Sequence, residues 1–140
     1  MFKLHPQLEK DTIDIGRFEL CRLLLMNDAN YPWFILVPER EDITEIYQLS
    51  GTDQQQLIKE SSILARALAE SFNADKLNIA ALGNVVPQLH IHHIVRYRTD
   101  PAWPAPVWGK IRAVPYGETA IDNILDTIKP SLDDYVRFVV

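Results

Sequence analysis

The sequence predicts an α+β domain with a mainly antiparallel sheet. Three features carry that expectation. Two apolar, aromatic-rich runs, RFELCRLLLM (17–26) and WFILVP (33–38), flank the turn-forming hexapeptide NDANYP. From 53 to about 73, Leu57, Leu64, Leu68 and Phe72 recur at the spacing of one helical face. Further on, PQLHIHHIV (87–95) has strand character and holds three of the four histidines.

The first two runs read as an antiparallel hairpin. EDITEIYQL (41–49) reads as a short helix, with Asp42 and Glu45 placed as a capping box and Ile43, Ile46 and Tyr47 on one side. The long helix starts at a second box-like pair, Thr52 and Gln55. LNIAAL (77–82) is a short strand and NVVPQLHIHHIVRYR (84–98) a longer one. Proline has no N–H for a ladder, so either the strand's regular part starts after Pro87 or Pro87 lies where pairing is open. DPAWPAPVWG (100–109) is stiff enough for an ordered loop, KIRAV (110–114) is a candidate last strand, and ETAIDNILDTI (118–128) is a helix. The tail LDDYVRFVV (132–140) is ambiguous in period. With no repeat, low-complexity tract or linker, residues 1–140 read as a single domain.

A composition of 47% apolar and 24% charged residues is that of an ordinary globule. The one cysteine, Cys21, excludes an intramolecular disulfide and a cysteine-rich metal site, and reads as core. No long uninterrupted apolar window is present, and MFKLHPQLEKD lacks the apolar run of a signal peptide. The expectation is a cytoplasmic protein with no membrane partner. A net charge of −5 weighs against bulk nucleic-acid binding but leaves a small phosphorylated ligand open.

On a strand, Gln88, His90 and His92 share one face, while Leu89, Ile91 and His93 take the other. Imidazoles two positions apart have Cβ atoms roughly 7 Å apart. One ring can then attack a phosphate while its neighbour hydrogen-bonds the same group. A metal site built on His-x-His would need further ligands from elsewhere, such as acidic residues or His5. A hydrogen-bonded polar core is the third reading. His93 reads as a core or interface histidine, and His5 as surface or packing. Arg96 and Arg98 share the parity of His90, with solvated surface or a subunit salt link favoured over phosphate contact. Trp103 and Trp108 suit either a nucleobase or a subunit interface. No glycine-rich phosphate loop occurs.

GNVVPQLHIHHIV resembles the signature of the histidine triad (HIT) superfamily, His-φ-His-φ-His-φ-φ after a glycine-containing loop. Gln88 takes the first histidine position, His90 the central one and His92 the third; Leu89, Ile91, His93 and Ile94 take the φ positions. RLLLMNDANYPWFILVPER resembles the family's first hairpin, and the stretch from LSGTDQQQ to ALG its long helix and following strand. The likeness covers about 16–98, and RTDPAWPAPVW resembles a bacterial Ap4A-hydrolase-like branch.

The resemblance implies an α+β, HIT-like fold: a five-stranded, mainly antiparallel sheet with one long helix and a shorter one, in a symmetric homodimer. It implies nucleotide phosphohydrolase or nucleotidyl transferase chemistry at the α-phosphate through a covalent nucleotidyl-histidine on His90. His92 would contact phosphate oxygens and Gln88 would occupy a catalytic position. Asn27 or Asp28 would hold the ribose, and Asn78 and Asn84 would be amide donors near the phosphate. The partner would be a purine nucleotide or dinucleoside polyphosphate. No metal or other cofactor would be required, although magnesium could travel with a polyphosphate. Two departures stand out: Gln88 at the first triad position, and Trp33 where the family carries an additional histidine. Glutamine cannot carry a titrating proton. The alternatives are a nucleotide-binding protein with weak or no catalysis, and a His-x-His metal-dependent enzyme.

Overall fold

A computed structural model describes Met1–Val140. The chain runs α1 (Pro6–Asp11), β1 (Thr12–Arg17), β2 (Cys21–Met26), β3 (Trp33–Pro38), a 3-10 turn (Ile46–Gln48), α2 (Gly51–Ser71), β4 (Lys76–Ala81), β5 (Ile91–Arg96), α3 (Glu118–Leu132) and β6 (Arg137–Phe138). All five pairings are antiparallel, in the order β4-β5-β3-β2-β1-β6. The α+β class holds, but six strands replace the expected five and three α-helices the expected two.

The differences have local causes. The 17–26 run is two elements: β1 ends at Arg17, the chain reverses, and β2 opens at Cys21 with Arg17 paired to Arg22. Gly16 lies beside the bulge in β1, where a Cβ would stand 2.6 Å from the Arg137 carbonyl oxygen. Its missing side chain lets the ambiguous tail add β6. Asp42 has φ 57°, so no helix can start there. The capping box is instead Glu45 with Gln48, and it closes only a 3-10 turn. α2 is capped by Ser50, whose Oγ accepts the Asp53 N–H, so it begins slightly earlier than the Thr52–Gln55 pair implied. KIRAV forms no strand. Its residues are tied to the 27–30 turn by Ala29 N–H to the Val114 carbonyl and by Val114 N–H to Asp28.

The sheet has two covered faces. Leu23, Leu25, Phe34, Leu36, Ile91 and Val95 pack under Leu57, Leu64, Leu68, Leu125, Ile128 and Leu132 from α2 and α3. The opposite face carries Leu24, Trp33, Ile35, Val37 and Ile94, and no long helix covers it. The N-terminal segment with α1, and the loop that carries Ala102 and Val107, lie over it instead. The histidines are on this loop-covered side.

Candidate active site

β5 lies inside the sheet between β4 and β3. His92 pairs with Ile35 on β3 and Ala80 on β4, while His93 pairs with Phe34 and Ile79. Successive positions therefore serve opposite faces. His93 goes to the helical core: its Nε2 meets the Ser61 hydroxyl at 2.7 Å and its Nδ1 meets the Ile91 carbonyl at 3.1 Å. Because a carbonyl only accepts, Nδ1–H donates to it and Ser61 donates to Nε2. Burial pushes the His93 pKa down to about 4, with the Ile91 carbonyl opposing. The core reading of His93 is correct.

His90 stands one residue before the ladder, fixed by its neighbours. Leu89 N–H bonds the Ile43 carbonyl at 2.9 Å. His90 Nδ1 lies 2.7 Å from the Gln88 carbonyl, which can only accept, so Nδ1 carries the proton and Nε2 carries the lone pair. His92 is the reverse. Trp33 Nε1–H donates to His92 Nδ1 at 3.0 Å, so the proton of the neutral ring sits on Nε2. The two rings are edge-to-face with centroids 4.8 Å apart. Neither Nε2 has a protein partner and neither is a buried orphan, so each keeps contact with solvent although the residues are only 5% and 4% exposed. Side by side stand one free lone pair and one N–H donor.

Electrostatics keeps both rings neutral. Burial lowers the His90 pKa, the Gln88 carbonyl raises it in part, and charge on His5 lowers it further. Burial, then charge on His90 and His93, pushes His92 down to about 3. A neutral His90 retains a nucleophilic lone pair throughout the physiological range.

Trp33 and Trp108 frame the pair. Their rings are 5.8 Å apart, and Trp108 meets His92 edge-on at 5.1 Å. Both line a 430 Å³ pocket with Met26, Asn27, Asp28 and Val107. Asn27 Oδ1 accepts the Tyr116 N–H, and Asp28 Oδ1 accepts N–H groups of Asn30 and Val114. The structure thus brings together Asn27, Asp28, Trp33 and Trp108 beside His92. Asn78 sits farther along β4, opposite Ile94, with its oxygen held by Arg96, and Asn84 is exposed in the β4–β5 loop.

Sequence reasoning misplaced Arg96. It is 1% exposed, neither a solvated surface charge nor a phosphate ligand. Its guanidinium donates to Asp100 at 2.8 and 3.1 Å, to Asn78 and to the Ala105 carbonyl, and stacks near Tyr31 and Trp103. It anchors the loop that carries Trp108. Removing one partner of such a buried pair costs about 3–5 kcal/mol. Arg98, by contrast, has an exposed side chain.

Gln88 was expected on the catalytic face. Its amide in fact holds the N-terminal segment: Oε1 accepts the His5 N–H and Nε2 donates to the Lys3 carbonyl, both at 2.8 Å. His5 is partly buried and packs as the cap of α1, in line with its surface-or-packing reading, while nothing in its spacing shows that Gln88 holds its backbone. The available signal for the cap was its place before Pro6, since proline favours the first helical position and His5 caps α1.

No cluster of three or more His, Cys, Asp or Glu side chains is arranged to hold a metal ion. No helix is long and apolar enough to cross a membrane.

Comparison with known proteins agrees with this geometry. The family model described as the HIT domain matches residues 7–99. A histidine triad protein from Marinobacter aquaeolei VT8 is 52% identical, with a TM-score of 0.94 over 96% of this chain and 98% of its own. One from Bradyrhizobium japonicum is 48% identical, TM-score 0.91, covering 93% and 97%. One from Sinorhizobium meliloti 1021 is 45% identical, TM-score 0.92, covering 94% and 98%. No curated protein matches the chain. With the domain match spanning most of the chain and the histidine strand in place, this protein belongs to the histidine triad (HIT) family.

Proposed function

We propose that this protein cleaves a nucleoside phosphate derivative at the α-phosphate through a covalent nucleotidyl-histidine on His90. One observation carries the reading: His90 and His92 are adjacent neutral rings with opposite proton positions. His90 Nε2 supplies the electron pair for a new N–P bond as the bond from phosphorus to the leaving group breaks. His92 Nε2–H donates to a phosphate oxygen whose charge grows in the transition state. Water then attacks phosphorus, the N–P bond breaks back onto His90 Nε2, and the nucleoside monophosphate and a proton are released.

The pocket beside Trp33 and Trp108 suits the nucleoside, with a purine base against the indoles. Its volume falls within the usual range for small-molecule sites. The Asp28 carboxylate, with one oxygen already held by the turn, would orient the ribose together with Asn27. Neither Gln88 nor Asn78 contacts the phosphate in this scheme, because both amides serve other partners. The active form is a homodimer, a reading supported by the open β4 edge with Ile79 half exposed.

Incubation with a nucleoside p-nitrophenyl phosphate should release the monophosphate and give a mass-detectable adduct on His90. His90→Ala should abolish the adduct and lower turnover by orders of magnitude while retaining nucleotide affinity. Calorimetric binding of AMP or GMP without turnover above the His90→Ala level would replace the enzyme reading with that of a nucleotide-binding protein, a reading favoured by Gln88 at the first triad position.

A further inference from the structure

His90 stands before the ladder, so something other than strand pairing holds it in place. Outside the ladders, residues 82–90 make one backbone–backbone hydrogen bond, Leu89 N–H to the Ile43 carbonyl. That N–H belongs to the same rigid peptide unit as the Gln88 carbonyl, which takes the His90 Nδ1–H at 2.7 Å. One edge of the unit is anchored to Ile43, and the other fixes the proton position on His90. A single anchor would leave the unit free to swing about it.

The second anchor is the Gln88 side chain. Its amide grips the N-terminal segment twice, accepting the His5 N–H and donating to the Lys3 carbonyl, each at 2.8 Å. The two bonds flank Leu4, which packs with Phe2 and Leu8 against the loop-covered face of the sheet. His5 then starts α1, its Nδ1 accepting the Gln7 N–H at 3.0 Å, and α1 runs directly into β1. The grip therefore ties the residue that presents the carbonyl to a segment already packed on the sheet.

The residue type at 88 follows from this. A terminal amide presents a donor and an acceptor side by side, as a peptide group does. A neutral imidazole has one of each on different edges of the ring, and a carboxylate has no donor. Neither can serve Lys3 and His5 together.

We propose that Gln88 is a positioning residue for His90, and that the segment from Lys3 to His5 is the brace through which it works. This rests on the reading of His90 as the nucleophile. The brace steadies the 88–89 peptide, so that its carbonyl keeps the proton on His90 Nδ1 and leaves the Nε2 lone pair for phosphorus. Once Nε2 carries the nucleotidyl group the ring is a cation, and the same carbonyl accepts a charge-assisted hydrogen bond. That bond is stronger in the adduct, and in the transition state leading to it, than in the free enzyme. Loosening the brace therefore lowers kcat rather than raising KM.

Gln88→Leu removes both side-chain bonds. It should lower kcat on a nucleoside p-nitrophenyl phosphate by about tenfold to a hundredfold, with KM within about threefold of wild type. His5→Pro attacks the brace from its other end. The φ of His5, −56°, already suits proline, and the substitution removes the N–H that Gln88 accepts. His5→Ala loses the same imidazole and cap but keeps that N–H, so His5→Pro should lose about threefold or more kcat beyond His5→Ala. Nitrogen-15 NMR supplies a readout that a merely structural role would not move: His90 should be protonated on Nδ1 in folded wild type, and should show both tautomers in folded Gln88→Leu. Gln88→Glu, which keeps the shape and loses the donor, takes the place of Gln88→Leu if that variant does not fold. A kcat within about twofold of wild type with an unchanged His90 proton position would overturn the proposal. Equal kcat for His5→Pro and His5→Ala, or a loss confined to KM, would overturn it as well. A wild-type protein that forms no His90 adduct with the ester would instead overturn the nucleophile reading, and this role with it.

Discussion

Replacing Trp33 by phenylalanine tests whether the site depends on a fixed proton position rather than on the histidines alone. The substitution keeps a ring near Tyr31 and Trp108 but removes the indole N–H that meets His92 Nδ1 at 3.0 Å. Either tautomer then leaves Nδ1 without its partner, so the protein no longer selects between them. A buried polar group left unmatched costs about 1–3 kcal/mol of stability. In molecules where the proton shifts to Nδ1, Nε2 presents a lone pair where the phosphate needs a donor. Loss of one such donor costs about 2.7–4 kcal/mol, or 10²–10³ in kcat, which sets the upper bound. Trp33→Phe should therefore reduce kcat on a nucleoside p-nitrophenyl ester by between about tenfold and a thousandfold. The denaturation midpoint should fall with it. Nitrogen-15 NMR reads the proton position directly: wild-type His92 should show Nε2–H, and the variant a mixture. A kcat within about twofold of wild type, alongside a newly protonated Nδ1, would refute the donor role of His92. A wild-type His92 protonated on Nδ1 would refute the tautomer assignment itself.

Stability should depend on acid through the buried histidines. His93 has its pKa pushed down to about 4 from an ordinary 6.5, so the unfolded chain takes up a proton that the folded chain excludes. The folded state is favoured fully above pH 6.5 and loses stability as pH falls towards 4, by on the order of 3 kcal/mol from this group; identical denaturant midpoints at pH 7.5 and 4.5 would contradict it. Turnover of the p-nitrophenyl ester should survive exhaustive chelation, since the chain supplies both nucleophile and donor; recovery of a lost rate by added zinc or manganese would favour the metal-dependent alternative. Sedimentation at micromolar concentration should give twice the 16.1 kDa chain mass, and a clean monomer would refute the homodimer.

Much of the fold was legible because strong periodicities met well-placed turn residues. The 53–73 pattern became α2, the NDANYP turn ended β2 before β3, and strand parity separated His92 from His93. What was not legible came from tertiary partners. Nothing local distinguishes KIRAV from a strand; its backbone bonds instead reach the 27–30 turn. β6 is two residues long and exists because Gly16 admits a close neighbour. Arg96 looked like a surface charge because Asp100, Asn78 and the Ala105 carbonyl converge on it only after the loop folds back. His5 and Gln88 are separated by 83 positions, and no periodicity connects them. The resemblance singled out His90 for the proposed nucleophile, whereas the proton positions on His90 and His92 needed the atoms.

Adjacent placement of His92 and His93 also constrains how this sequence can vary. One serves the loop-covered face and the other the helical core, and both are locked to the same two neighbouring strands. A single-residue insertion or deletion within 91–96 would drive a core group into the site and a site group into the core at once. The 100–116 segment carries no such restriction, since no ladder fixes its register and most of its residues are exposed. A library intended to change nucleoside preference should therefore vary length and sequence between Ala105 and Val114. Over 88–96, only substitutions that preserve residue count should yield folded protein.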